Sequence, residues 1–260
     1  MYNPDVLTFS LQSGSNGNAI YVEANGVRLL FDAGISGKTA EARIAVHGRS
    51  LHDVDALIVS HDHSDHVRCA GVYQRRFGMP IYITRETLSA ATRWTDLGKL
   101  RNLRHFVSGE SLSFADVVVH AIPTAHDAAD GNAFVVECEG KRLGIFTDLG
   151  HPFEGLQRAL ASVDAAYLEF NYDPAMLAGG PYPPRLKARI KGPGGHLSNE
   201  EAAELVRACG RNRPKWIAAA HLSEMNNRPE LAIAAQHQAV GRDYPVHHAP
   251  RYEGSAILTL

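Results

Sequence analysis

Residues 56–66 read Ala56-Leu57-Ile58-Val59-Ser60-His61-Asp62-His63-Ser64-Asp65-His66. The first five form an apolar run that is too short for a helix and typical of a buried strand, so the histidine cluster begins where a strand ends. His61 and His63 alternate on an extended segment and can project toward one point, while Asp65 and His66 continue toward a second point. This short segment can therefore supply ligands for two metal ions. The alternative interpretation is a solvated polar turn.

The composition is that of an ordinary globular protein. Hydrophobic residues make up 45%, charged residues 21% and aromatic residues 8% of the 260 residues, which argues against disorder or a fibrous repeat. The formal net charge of −2 supplies no global attraction to nucleic acid, so a polyanion site requires a local basic patch. The 14 histidines are the unusual feature, because histidine offers a neutral nitrogen ligand near physiological pH.

The sequence shows no sign of export or of a membrane span. Residues 1–5 lack a basic region followed by an apolar stretch, and no window approaches the roughly 18 apolar residues of a span. We therefore expect a cytoplasmic protein without membrane association. Three cysteines, Cys69, Cys138 and Cys209, are far apart and odd in number, which predicts buried free thiols instead of disulfides or a cysteine metal site.

Predicted strands and helices alternate along the chain and give two β-rich halves flanked by helices. Strands are predicted at 7–12, 19–23, 27–31, 56–60, 81–83, 117–121, 134–137, 143–146, 166–169, 216–219 and 256–258, and helices at 38–45, 86–94, 153–161, 198–208 and 229–240. The stretch from Gly179 to Gly195 is rich in Pro, Gly and basic residues and is interpreted as a functional loop without regular structure. Residues 1–260 are predicted to form a single domain.

Further candidate ligands each follow a predicted strand. His126 follows the strand at 117–121, Asp148 follows the strand at 143–146, and His221 follows the strand at 216–219. Ligands at strand ends can converge on one edge of a sandwich. A mixture of nitrogen and carboxylate ligands suits Zn²⁺, Mn²⁺ or Fe²⁺ better than calcium.

The motif His-x-His-x-Asp-His, followed later by His, Asp and His, resembles the metallo-β-lactamase superfamily. This resemblance spans nearly the whole chain and implies an α/β fold, an αββα sandwich with a dinuclear site between its sheets. It implies that one metal is bound by His61, His63 and His126, that the other is bound by Asp65, His66 and His221, and that Asp148 bridges both. Asp32 resembles an early aspartate that orients a metal ligand. The alternative for Asp32 is an exposed turn residue.

The implied cofactors are two divalent metal ions, Zn²⁺ or Mn²⁺. Two metals bridged by a carboxylate and a water lower the pKa of that water and present hydroxide to an electrophile, so hydrolysis is the expected reaction class, with Asp65 among the catalytic residues. Some relatives use a diiron centre for redox chemistry, but the chain shows no appended flavin-binding domain that would favour this alternative.

His196 gives a more specific indication. The segment Gly194-Gly195-His196-Leu197-Ser198 places a histidine just before a helix N-terminus, where a phosphate can bind. It resembles the Gly-His-Ala-Ser motif of RNase J-type nucleases, which implies that His196 contacts the scissile phosphate and protonates the leaving oxygen. A cap or loop hydrogen bond is the alternative. The basic stretch Pro184–Lys191 is interpreted either as a positive rim for a phosphodiester backbone or as a solvated helix face.

A closer resemblance is to the YycJ (WalJ) family of bacterial metallo-β-lactamase-fold proteins. It is carried by Ser13-Gly14-Ser15-Asn16-Gly17-Asn18-Ala19, His126-Asp127-Ala128-Ala129, Asn171-Tyr172-Asp173 with Met176-Leu177, the His196 segment, and His221-Leu222-Ser223 with Asn226-Asn227. The resemblance implies an exonuclease that acts on DNA from the 5′ end, with proposed links to DNA mismatch repair. Asn171, Tyr182 and Arg185 become candidate substrate contacts, and Tyr172 or Tyr182 can stack on a base. Packing is the alternative for both tyrosines.

Two other functions stay open at this stage. The same fold can hydrolyse thioesters or lactones of small molecules, since the same metal hydroxide can attack an acyl carbon. A binding or regulatory protein that retains the fold is the non-enzymatic alternative, which the apparently complete ligand set opposes. The spacing of residues by itself indicates a hydrolase with a phosphate-binding histidine, and it leaves open the metal, DNA or RNA, exo or endo cleavage, and the oligomeric state.

Overall fold

Two seven-stranded sheets lie face to face in the computed structural model, which describes residues 6–260. Residues 1–5, where we expect no signal peptide, lie outside the described residues. The strands are β1 (Leu7–Gln12), β2 (Ala19–Ala24), β3 (Val27–Phe31), β4 (Ala56–Ile58), β5 (Ile81–Tyr82), β6 (Leu103–Arg104), β7 (Ser111–Phe114), β8 (Val117–Pro123), β9 (Asn132–Cys138), β10 (Lys141–Phe146), β11 (Ala165–Glu169), β12 (Trp216–Ala220), β13 (Val246–His248) and β14 (Leu258–Thr259).

The two sheets share one pattern of strand directions. The first sheet has the order β14-β1-β2-β3-β4-β5-β6, and the second has the order β13-β12-β11-β10-β9-β8-β7. In the first sheet β14, β1, β2 and β3 pair antiparallel and β3 to β6 pair parallel. In the second, β7 to β10 pair antiparallel and β10 to β13 pair parallel. Because parallel neighbours need crossover connections, this half of each sheet carries most of the helices.

The helices cover the outer faces of the sheets. They are α1 (Gly37–Ala45), α2 (Ser64–Val67), α3 (Ala70–Phe77), α4 (Arg85–Trp94), α5 (Glu154–Leu160), α6 (Pro174–Gly179), α7 (Pro184–Lys191), α8 (Asn199–Ala208) and α9 (Pro229–Val240). The start of α8 is fixed by a capping box, in which Ser198 accepts from the Glu201 amide and Glu201 accepts from the Ser198 amide. None of these helices has the length and apolar character required to cross a membrane.

Side-chain alternation along the strands produces three apolar layers. Val22 and Leu29 face inward to a core between the two sheets, whereas Tyr21 and Leu30 face outward to a core beneath α1 and α3. The second sheet repeats this arrangement with an outer core beneath α5, α8 and α9. The layers are therefore helix, sheet, sheet and helix, which confirms the predicted αββα sandwich.

The main correction concerns the stretch from Gly179 to Gly195. The sequence predicted a functional loop there, with a solvated helix face as the alternative for Pro184–Lys191, and residues 184–191 form α7. Pro184 stands in the first helical turn, where proline is tolerated because its missing amide hydrogen has no partner there. The cysteines are free, as predicted, although Cys69 is only partly buried while Cys138 and Cys209 are buried.

Candidate metal centre

The candidate ligands lie where strands end, at one edge of the sandwich. His61 follows β4, His126 follows β8, and His221 follows β12 directly. Asp148 follows β10 and adopts a left-handed backbone with φ of 56°, and His221 does the same with φ of 53°. Such conformations cost energy in non-glycine residues and are concentrated at functional sites. The chain therefore turns sharply at these points to bring the side chains together.

The first group of ligands consists of His61, His63 and His126. One donor nitrogen from each lies within 4.8 Å of the others. His63 Nδ1 and His126 Nε2 are 3.3 Å apart, and His126 Nδ1 lies 2.8 Å from the carbonyl oxygen of Gly195. Since that carbonyl accepts from Nδ1, Nε2 is left as the free nitrogen that faces the group.

The second group consists of Asp65, His66 and His221, whose donor atoms also lie within 4.8 Å of one another. Asp65 Oδ2 is 3.6 Å from His66 Nε2 and 3.5 Å from His221 Nε2. Asp148 lies between the two groups. Its Oδ2 is 3.2 Å from His66 Nε2, and its Oδ1 is 3.7 Å from His126 Nε2. The structure thus brings all seven predicted ligands together in the grouping that the resemblance implies.

The donor atoms fit a divalent metal. His61 Nε2, His221 Nε2 and Asp148 Oδ2 are buried and have no hydrogen-bond partner among residues 6–260. Leaving a buried polar atom without a partner costs about 1–3 kcal/mol, which a bound cation would offset. Imidazole nitrogen and carboxylate oxygen without sulfur are a donor set that suits Zn²⁺ or Mn²⁺.

Burial and neighbouring charges hold two of the ligands in their metal-binding protonation states. Burial of His61, with the nearby His66 ring, holds the pKa of His61 well below its usual range. Burial alone would raise the pKa of Asp148, but the surrounding histidines, led by His221 and His66, hold it well below its usual range. A neutral imidazole and an ionised carboxylate are the forms that bind metal.

Two further buried histidines, His221 and His66, are affected in the opposite direction. Burial lowers the pKa of His221, but the negative charge of Asp148 and the nearby carboxylates of Asp65 and Glu169, each 3.5 Å away, outweigh it and raise the pKa to about 10. The carboxylates around His66 likewise overcome burial and raise its pKa. Because a raised pKa favours the protonated ring, metal binding at this site is coupled to proton release.

Asp32 orients the candidate ligand His66 through a hydrogen bond to the ring nitrogen that faces away from the centre. Its side chain is buried, and its Oδ2 accepts hydrogen bonds from His66 Nδ1 at 2.7 Å and from Ser60 Oγ at 2.9 Å. The Ser60 amide donates to Oδ1 of the same carboxylate. The burial and these hydrogen bonds exclude the alternative that Asp32 is an exposed turn residue. The hydrogen bond to Nδ1 also directs His66 Nε2 toward Asp65 and Asp148.

Sequence reasoning missed several buried polar residues that hold the ligands. Asn18 Nδ2 lies 2.9 Å from His66 Nε2, and Ser13 Oγ accepts from the His221 amide at 2.9 Å. Asn171, a predicted substrate contact, donates from Nδ2 to the His221 carbonyl oxygen at 2.9 Å. Asn171 is buried, so this structure assigns it a role in fixing His221, and contact with a substrate stays a prediction.

His196 lies at the edge of the centre and is held by a residue that the sequence analysis did not identify. Its Nδ1 donates to Glu169 Oε1 at 2.7 Å, and its ring centroid lies 4.8 Å from that of His126 and 5.3 Å from that of His221. The His196 side chain is 15% exposed whereas Glu169 is completely buried. Glu169 ends β11, so the strand-end reasoning that identified Asp148 would also have found it.

The other predicted substrate contacts lie on α7 and in the segment just before it. Arg185 is exposed on α7, but Arg189 of the same helix is engaged in two hydrogen bonds with Asp127, at 2.6 and 3.0 Å. Tyr182 is half-buried against a small apolar cluster that includes Tyr172, which is itself 6% exposed. The burial of Tyr172 favours packing over stacking on a base. Tyr182 is the more accessible of the two tyrosines.

Comparison with known proteins agrees with this geometry. Residues 27–217 match the family described as beta-lactamase superfamily domain. The exodeoxyribonuclease WalJ of Streptococcus pneumoniae serotype 2 (strain D39) is 36% identical over 247 residues, which cover 91% of each chain. The exodeoxyribonuclease YycJ of Bacillus anthracis is 32% identical over 246 residues, which cover 91% of this chain and 92% of that protein.

Similarity in three dimensions extends to a solved structure with a much more distant sequence. The metallo-beta-lactamase fold protein YhfI from Bacillus subtilis superposes with a TM-score of 0.76 at 14% identity, covering 99% of this chain and 100% of that one. This likeness supports the fold. Together with the ligand groups and the two relatives above 30% identity, it shows that the chain is a metal-dependent hydrolase that belongs to the beta-lactamase superfamily and, within it, to the WalJ and YycJ family.

Proposed function

We propose that the chain is a nuclease with a dinuclear metal centre that degrades DNA from the 5′ end. The observation that carries the proposal is the position of His196 beside both ligand groups. Cleavage of a phosphodiester benefits from a group that protonates the departing sugar oxygen, and His196 is positioned to supply that proton, whereas the thiolate that leaves a thioester needs no such donor. DNA as substrate and an exonucleolytic mode are supported by the names of the two relatives, which are both exodeoxyribonucleases.

The chain's own residues have separable roles in this proposal. His61, His63 and His126 would hold one metal, Asp65, His66 and His221 the other, with Asp148 shared between them. When bound, two divalent ions would activate water and stabilise negative charge on the phosphate. Asp65 has 18% of its side chain exposed against 5% for Asp148, so Asp65 is the carboxylate that water and substrate can reach.

His196 would act on the leaving group, and Glu169 would act through His196. Because Glu169 accepts from Nδ1, the Nε2 atom of His196 is the one free to contact a phosphate. A protonated ring at this position binds a phosphate oxygen and then donates its proton to the departing sugar oxygen. Arg185 and Tyr182 would contact the backbone and a base at the rim.

The first experiment tests whether DNA cleavage depends on this centre. End-labelled duplex DNA incubated with Mn²⁺ should be shortened by the wild-type protein and by Asp243→Ala, an exposed aspartate outside the site. Asp65→Ala should be slower by more than about a hundredfold, because losing a ligand costs at least as much as losing an outer partner. Labels placed separately at each end report the direction of degradation.

Equal activity of Asp65→Ala and wild type would refute the proposed centre. Rapid cleavage of acyl thioesters or lactones with no action on DNA or on bis-p-nitrophenyl phosphate would replace the proposal with a small-molecule hydrolase.

A further inference from the structure

The indole ring of Trp94 lies unusually open at the end of α4. Its exposed fraction is 85%, and the ring makes no hydrogen bond or ring contact with the rest of residues 6–260. The other tryptophan, Trp216, is 9% exposed, donates from Nε1 to the Thr259 carbonyl oxygen, and packs edge-on against Tyr167. A single exposed aromatic residue is not a site by itself, so its surroundings decide what it can do.

A groove runs along α4 toward Trp94. It consists of two adjoining cavities of about 550 and 440 Å³ that share Arg85, Glu86 and Ala129. We call it the α4 groove, and its charged or titratable lining residues are Arg85, Glu86, Arg93, His105 and Asp130. The groove is therefore formed by three segments: the helix, the stretch before β7 and the loop that follows His126.

Trp94 lines neither cavity, and helical spacing places it just beyond the far end of the groove. Glu86 and Ala90 line the groove, and Trp94 continues their four-residue spacing, so the three share one face of α4. Arg85 and Arg93 flank the same side. With a rise of about 1.5 Å per residue, the distance along the helix axis from Arg85 to Trp94 is roughly 14 Å.

The near end of the groove adjoins the metal centre. The Ala129 amide donates to Asp62 Oδ1 at 2.9 Å, and Asp62 lies between the ligands His61 and His63. The Asp130 carbonyl oxygen accepts from Thr87 Oγ1 at 3.1 Å, which attaches the loop to α4. A chain that leaves the centre past Ala129 would enter the α4 groove.

Two cations, Arg85 and Arg93, line the α4 groove together with two carboxylates, Glu86 and Asp130. Three further cations, Lys99, Arg101 and Arg104, follow α4 in the sequence within residues 85–105, against one further acidic residue, Asp96. Among residues 6–260 none of these five cations lies in an ion pair. By contrast, Arg189 is bound to Asp127 and Arg207 to Glu204. Unpaired cations are available to phosphates.

We propose that the α4 groove binds a single-stranded segment of the DNA substrate, with phosphates beside Arg85 and Arg93 and a base stacked on Trp94. This inference rests on the proposed nuclease function and deepens it. Backbone binding by cations combined with stacking on an exposed aromatic ring is the physical basis of sequence-independent single-strand binding. The groove would retain DNA that extends beyond the scissile phosphate.

The test uses Trp94 as its own reporter. In a Trp216→Phe protein, Trp94 is the remaining tryptophan of the two in the chain. The metal-loaded protein is titrated with a cleavage-resistant phosphorothioate oligothymidylate of twelve nucleotides and, in parallel, with an abasic oligomer of the same length. Stacking should quench Trp94 fluorescence with the thymidylate and leave it nearly unchanged with the abasic oligomer.

Binding measured by anisotropy separates the two contributions. Trp94→Ala should weaken thymidylate binding by about tenfold, with Trp94→Phe intermediate, because one stacked base is lost. Arg85→Gln and Arg93→Gln should each reduce the slope of log affinity against log salt by about 0.7. Arg211→Gln removes the same charge from an exposed arginine outside the groove and should leave affinity unchanged.

Several outcomes would contradict the inference or its basis. If the thymidylate leaves Trp94 fluorescence unchanged in a protein that still degrades DNA, the inference about the α4 groove is wrong, and the proposed nuclease function is unaffected. A wild-type protein that neither binds nor cleaves DNA would overturn the proposed function itself. Concentration-dependent self-association that Trp94→Ala abolishes would show that this face contacts a second copy of the chain instead.

Discussion

Glu169 carries a buried negative charge that two histidines share. Its Oε1 lies 2.7 Å from His196 Nδ1 and 3.5 Å from His221 Nδ1, and its Oε2 accepts from the amides of Leu149 and Leu197 at 3.2 Å each. Burial would raise the pKa of Glu169, but the His196 charge and the side-chain contacts with His196 and His221 lower it to about 2. The carboxylate is therefore ionised at neutral pH and can hold His196 in one orientation.

We predict that Glu169 is a positioning residue that acts through His196. His196→Ala should lower kcat on DNA by about 10²–10⁴-fold, the usual contribution of an acid catalyst, while metal content stays at the wild-type value. Glu169→Gln should lower kcat less. In the His196→Ala background Glu169→Gln should have little further effect, because the ring that it positions is gone.

Metal analysis and a double-mutant cycle in steady-state kinetics decide the matter. If the fold-loss in kcat of the double variant equals the product of the two single losses, Glu169 does not act through His196. Loss of metal in His196→Ala would make His196 a ligand.

Residue types explain why some of this centre was predictable and some was not. His61, His63, Asp65 and His66 stand in one short motif, so the sequence alone predicted a metal-binding cluster. Glu169 ends a predicted strand and Asn18 stands in the glycine-rich stretch of residues 13–19, but the ligand that each one holds depends on strand ends and loops that meet only in three dimensions. The burial of Asn171 could not be read from its polar side chain either.

At the scale of elements, the site depends on close contact between the turns that follow the strands. Gly34, just after β3, donates from its amide to the Asn18 carbonyl oxygen and lies against the backbone of Asp65. A Cβ atom at residue 34 would lie 1.6 Å from the Asp65 carbonyl oxygen and 2.6 Å from the Asn18 amide nitrogen. Only glycine allows these segments to meet as they do.

Gly34→Ala should therefore destabilise the protein and weaken metal binding. We expect at least about 2 kcal/mol of lost unfolding free energy, because the clash is with backbone that has nowhere to move. Gly179→Ala is the matched control, since a Cβ there meets nothing within 4 Å. Thermal unfolding and metal titration provide the measurements, and equal Tm values for the two variants would contradict the packing described for Gly34.

The elements themselves were largely predictable because their apolar patterns are strong. The buried strands β4, β11 and β12 contain short runs of apolar residues, and the outer helices have an apolar side that packs on a sheet. Helix α7 was missed because prolines and glycines flank it and a single residue within it, Ile190, is buried. With so few apolar residues, no periodic pattern indicated the helix.

At the scale of the whole molecule, the candidate centre joins the two sheets. Its ligands come both from the loop after β4, in the first sheet, and from the segments after β8, β10 and β12, in the second. The order of strands in the two sheets could not be derived from local sequence, because it depends on pairings between distant segments. The family resemblance supplied the architecture that periodicity alone left open.

Because the ligands span both sheets, metal removal should lower the stability of the whole fold. At a free metal concentration about 100 times the Kd, binding adds about 2.7 kcal/mol to the unfolding free energy. For a chain of this length the corresponding change in Tm is roughly 5–10 °C. Calorimetry measures the Tm before chelation, after chelation, and after re-addition of Zn²⁺ or Mn²⁺.

Added metal should raise the Tm of Asp148→Asn much less than that of the wild type. A wild-type Tm that is the same before and after chelation would contradict the prediction.

The left-handed backbone at Asp32, Asp148 and His221 restricts how this family can change over evolution. A residue that replaces one of these three must be able to adopt a positive φ, and its side chain must still bind metal or orient a ligand. Aspartate, asparagine and histidine enter that region of backbone space more easily than most residues, and glycine enters it most easily. The residue types that tolerate the turns therefore overlap with those that bind metal, and asparagine or glycine at these positions in this chain would weaken metal binding while keeping the turns.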